Sequence, residues 1–70
     1  MTDLPMIAFR QAIQLAGSQS ALADELGITR QAIAHILRQG RVSPRVACQI
    51  EDLYGVSREV LAPHTYPRAE

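Results

Sequence analysis

Four glycines, Gly17, Gly27, Gly40 and Gly55, each close a stretch of helical apolar spacing, and each is followed within three residues by a hydroxyl residue: Ser18, Thr29, Ser43 and Ser57. Glycine reaches the left-handed conformation that ends helices, and a serine or threonine hydroxyl accepts from the free N–H groups that open the next one. This punctuation cuts the chain into short helices. No run alternates apolar and polar residues as a half-buried strand would. The pattern predicts an all-α fold, a compact domain of four or five helices.

Within that frame helix 1 runs from about Pro5 to Ala16, with Phe9, Ala12, Ile13 and Ala16 on one face. Helix 2 covers Gln19 to Leu26, placing Leu22, Ala23 and Leu26 on one stripe, and helix 3 runs from Arg30 to about Arg38 behind the cap Thr29. Ser43 followed by Pro44 opens helix 4, whose buried side takes Val46, Ala47, Ile50, Leu53 and Tyr54. Ser57 opens a last short helix through Leu61, and Pro63 and Pro67 make the tail over 62–70 extended. Seventy residues close one modest core, so 1–70 is one domain. Much of the 47% hydrophobic content is alanine, and the core therefore rests on Phe9, Ile13, Leu22, Leu26, Ile33, Ile36, Ile50 and Leu53.

The same composition narrows the chemistry. A single cysteine, Cys48, has no partner for an intramolecular disulfide, and no His/Cys cluster has zinc-ligand spacing, so neither metal nor cofactor is expected. In an apolar helix Cys48 reads as a small core filler rather than a redox switch. No acid pair, nucleophile with a base or glycine-rich phosphate loop is present, which argues against an enzyme. The apolar stretch Leu4 to Phe9 is too short for a secretion signal or membrane span, and a reducing cytoplasm is expected.

The segment 19–38 has the grammar of a helix-turn-helix. Ala23 is small where two helices cross steeply, Gly27 permits a tight turn, and Leu22, Leu26, Ile28, Ile33 and Ile36 are apolar where the helix pair must bury one side. Wound at about 100° per residue, helix 3 is two-faced. Ala32, Ile33, Ile36 and Leu37 fall on one half, and Arg30, Gln31, Ala34, His35 and Arg38 on the other.

The formal net charge is zero, which by itself argues against a nucleic-acid partner. Distribution reverses the argument. Between Thr29 and Cys48 stand Arg30, Arg38, Arg41 and Arg45 with no acidic residue, whereas Asp3, Asp24, Glu25, Glu51, Asp52, Glu59 and Glu70 all lie elsewhere.

Several stretches resemble the Cro-like repressors of phages and prophages, and among them the YdaS-type proteins regarded as antitoxins. The resemblance rests on Ala12 to Gly17, Gln19 to Ala23 leading to Leu26-Gly27-Ile28, Gln31-Ala32-Ile33 and Gly40 to Pro44. Ile50-Glu51, Gly55 to Arg58 and the tail from Pro63 to Pro67 extend it. It implies a lambda-repressor-like domain that binds a double-stranded DNA operator and represses transcription, often as a dimer, and the antitoxin label implies a toxin partner. The competing expectation is an antitoxin-like protein-interaction module in which DNA binding is secondary.

The expected DNA-contacting residues are Gln19, Ser20, Thr29, Arg30, Gln31, Ala34, His35, Arg38 and Arg41. Gln31 can pair in bidentate fashion with adenine, Arg30 can read guanine or hold a phosphate, and Arg38 and Arg41 suit phosphate clamps. Gln19 and Ser20 open helix 2, where free amides and the helix dipole meet the DNA backbone. Thr29 is first of all a cap. Arg45 is open between a carbonyl cap and an acid partner. Two copies of the chain are expected on DNA, paired through the end of helix 4 with Tyr54 and the segment from Val56 through Leu61 to Tyr66.

Overall fold

The computed structural model describes residues 3–63 and contains five helices, with no strand among those residues. They are α1 (Leu4–Ala16), α2 (Gln19–Leu26), α3 (Arg30–Gln39), α4 (Pro44–Tyr54) and α5 (Arg58–Leu61). Ser18, Thr29, Ser43 and Ser57 cap the last four, each accepting a backbone N–H from the first turn, and all four glycines have positive φ. Helix α1 begins a residue earlier than the proline suggests. Its cap is Asp3, whose carboxylate accepts the Met6 N–H at 3.4 Å. Of the tail expected over 62–70, Ala62 and Pro63 are described, and the rest lies outside the described residues.

Phe9, Leu22, Ile33, Ile50 and Leu61 are the largest fully buried side chains, one from each helix, and Met6, Leu26, Ile36, Val42 and Val46 complete the core around them. Leu53 is a correction: it is 46% exposed. On α4 the stripe through Val46, Ala47 and Ile50 turns in, and at about 100° per residue Leu53 falls at its margin. Leu61, 1% exposed, is a core side chain instead, because α5 folds back against α1 and α4. Ile13 packs against the core while staying partly exposed, and Cys48 is half-buried rather than a core residue.

Helix α1 packs on α2, α4 and α5, and α2 packs on α3 and α4. The α2–α3 connection is the tightest joint in the chain. The Gly27 N–H reaches the Asp24 carbonyl at 3.2 Å and the Ile28 N–H reaches the Ala23 carbonyl at 3.0 Å, the paired bonds of a Schellman closure. Gly27 has φ +70°, and Ile28 folds back onto the core. Ala23 thus serves twice: its carbonyl closes the turn and its methyl, 3% exposed, lies in the core. From α4 the Gln49 Nε2 donates to the Leu26 carbonyl at 3.4 Å, tying the end of α2 to the rest of the bundle.

Two substitutions separate packing from backbone strain here. Ala23→Leu overfills a closed site and is expected to cost about 1–3 kcal/mol, roughly 4–8 °C of melting temperature per kcal/mol in a chain this size. Nothing lies within 4 Å of a Cβ built on Gly27, so Gly27→Val acts through its left-handed backbone alone and Gly27→Asn, which tolerates that backbone, should be milder. Thermal melts followed by circular dichroism check both, and equal melting of the Val and Asn variants would remove the strain account.

Candidate nucleic-acid interface

The start of α3 is organised by Thr29, whose Oγ1 accepts the Ala32 N–H at 3.1 Å while its carbonyl accepts from Ala32 and Ile33. With the inner side of α3 committed through Ile33 and Ile36, its other side faces outward. Arg30, Gln31, His35 and Arg38 are exposed there, with Ala34 half-buried between them. Gly40 then turns the chain, and Arg41 follows exposed while Val42 drops into the core. Five of the nine expected contact residues, Arg30, Gln31, Ala34, His35 and Arg38, thus share one helix face, and Thr29 and Arg41 flank it.

Gln19 and Ser20 stand on a different helix, in the first turn of α2. Ser20 is exposed, Gln19 half-buried, and Ser18 Oγ accepts the Ala21 N–H at 3.0 Å. A helix N-terminus carries partial positive charge.

Asp3 brings its carboxylate to the α3–α4 turn, with Oδ2 3.9 Å from a Cβ built on Gly40, while two other acids are engaged elsewhere. Glu25, although on α2, lies toward α4, close enough to Tyr54 that its charge helps hold the phenol above its ordinary range, after the larger effect of burial. Tyr54 is therefore neutral at physiological pH. Glu51 is tied to α5: its Oε2 accepts the Arg58 N–H at 3.0 Å and its Oε1 lies 3.7 Å from Arg58 Nε. Arg58 Nη1 also lies 3.9 Å from the Cys48 sulfur. The Arg58 charge is thus spent within the α4–α5 corner, whereas Arg45 is exposed at the start of α4.

Spacing alone did not reveal three positioning residues. Asp3 caps α1, Gln49 holds the end of α2 and Glu51 holds the start of α5. Asp3 carried a legible signal, an acid just before Leu4-Pro5. Gln49 and Glu51 act on residues brought near by folding and had none. A cleft of about 840 Å³ between the α3–α4 connection and the end of α5 is lined by Pro5, Arg41, Val42, Pro44 and Leu61 among others. Arg41 is the only charged side chain in that lining among the described residues.

Residues 9–70 match the model of a family described as bacterial toxin YdaS. No curated protein and no solved structure gives a significant match.

Because the Thr29 hydroxyl sets the first turn of α3, Thr29→Ala is expected to cost about 1 kcal/mol of stability and Thr29→Ser much less. Chemical denaturation of the two variants measures it, and an equal loss in both would show that the methyl rather than the hydroxyl matters.

Proposed function

The chain belongs to the YdaS family, and from that premise we propose that it is a sequence-specific double-stranded DNA-binding protein, a Cro-type transcriptional repressor that occupies a phage or prophage operator. The observation that carries this reading is the outward face of α3, where Arg30, Gln31, His35 and Arg38 stand exposed without an acid among them. With α2, its turn and α3 as a helix-turn-helix, α3 enters the major groove. Gln31 addresses adenine through its amide, Arg30 a guanine edge or phosphate, and Arg38 and Arg41 hold phosphates, with Thr29 and His35 beside them. The first turn of α2, with Gln19 and Ser20, receives a further phosphate.

Binding by two copies follows from the size of the footprint. One recognition helix and a few arginines, on a chain with zero net charge, give limited phosphate neutralisation. The surface proposed for pairing is the end of α4, where Leu53 is exposed beside half-buried Tyr54 and Val56. Leu61 is withdrawn from that surface because it is in the core, and Tyr66 lies outside the described residues. The repressor is proposed to act in the cytoplasm, without cofactor or catalytic step.

The word toxin in the family description favours a second reading, a protein-interaction module of a toxin–antitoxin pair in which DNA binding is secondary. The two readings part on DNA. Footprinting upstream of the chain's own gene and of the divergent neighbouring gene should show a discrete protected site; retained partner-protein binding with no protected site would favour the module.

Within the DNA reading, Gln31→Ala should lose about 1–3 kcal/mol on the selected site and flatten preference at one or two base pairs, with little change on random DNA. Arg38→Ala and Arg41→Ala should weaken all DNA alike and each lower the salt slope by about one phosphate. Equilibrium titrations at several salt concentrations distinguish the two patterns. Titration of one half-site against the whole operator tests pairing: two chains should bind cooperatively to half-sites about 34 Å apart, and one chain with equal affinity on both would exclude it.

A further inference from the structure

Ala34 differs from its neighbours on the outward side of α3: it carries neither charge nor hydrogen-bonding group. It stands four residues after Arg30, three after Gln31 and four before Arg38, so these side chains surround it on one helix face. The surrounding chains are long and exposed, while Ala34 ends at its methyl and is half-buried. The face therefore has a shallow apolar floor edged by polar residues, with the two arginines about one helical turn before and after it.

Among the groups that B-DNA displays in its major groove, the apolar one is the 5-methyl of thymine. We propose that Ala34 is a specificity-determining residue that recognises a thymine methyl, within one or two base pairs of the position addressed by Gln31. The proposal rests on the DNA-binding reading above and adds a different kind of contact to it. The hydrogen bonds of Gln31 and Arg30 distinguish bases by donors and acceptors, whereas a methyl packed on Ala34 distinguishes thymine from uracil, whose donors and acceptors are the same. A larger residue at this position would hold the helix away from the base edges, and a polar one would leave the thymine methyl against an unpaired group.

The test begins with the full chain and a site selected from random double-stranded DNA. Each thymine of that site is then replaced in turn by deoxyuridine, which removes one methyl and keeps pairing. Loss of one buried methyl corresponds to about a fourfold loss of affinity. One thymine position in each half-site is expected to show this loss, and Ala34→Gly is expected to bind the thymine and deoxyuridine sites equally. Because each ratio is taken on the same variant, any loss of folded protein cancels. A selected site with no deoxyuridine penalty overturns the Ala34 proposal and leaves DNA binding intact. A penalty that persists in Ala34→Gly also overturns it and assigns the methyl to another side chain, with Thr29 the first to examine. Failure to select any site overturns the DNA reading and this proposal together.

Discussion

The joint between α2 and α3 is the constraint on which the outward face depends. Helix α3 is joined to the bundle chiefly through α2, so its orientation is set where Ala23 is buried and where the Ala23 carbonyl accepts the Ile28 N–H. A turn closed by two hydrogen bonds leaves few conformations for the connection. Ile33 and Ile36 then anchor the inner side of α3, and the geometry of a helix delivers Arg30, Gln31, Ala34, His35 and Arg38 to the opposite side. The order of dependence runs from a packing contact, through a turn, to a polar surface.

Charge works locally in this molecule. At physiological salt an exposed charge is screened beyond about 8 Å, so the field at the outward face of α3 is set by the arginines on it more than by the zero net charge of the chain. Glu51 pairs with Arg58 in the α4–α5 corner, and Glu25 is near enough to Tyr54 for its charge to act on the phenol. Such exposed pairs add little to stability. Glu51 and Glu25 are engaged at α5 and Tyr54, whereas the Asp3 carboxylate lies beside Gly40 at the end of α3.

The small core sets a second theme. Five large side chains are fully buried, one per helix, while Leu4, Ile7, Leu15 and Leu53 remain about half exposed. A chain of this length has too little interior to cover all its large apolar groups. Stability consequently leans on local devices: five capped helix starts and positive-φ glycines after four of the helices. A typical cap contributes about 1 kcal/mol, which is a large share of what a domain with so small a core can hold in reserve.

What the sequence determined by itself was the set of features that act over three or four residues. The helix limits at Ser18, Gly27, Thr29, Gly40, Ser43, Gly55 and Ser57 were legible because caps and stops are local chemistry, and the division of α3 into two faces was legible because helical period is fixed. The candidate contact face followed from that same period. Tertiary structure decided what depended on distant parts of the chain meeting. Whether Leu53 or Leu61 entered the core was settled by α5 folding back on α1 and α4, and no spacing within α4 encodes that path. Likewise Gln49 reaches Leu26 across 23 positions, and Glu25 sits near Tyr54, only because α2 and α4 pack together. Burial of an apolar side chain is a property of the neighbours that arrive, whereas a cap needs only the residues that follow it.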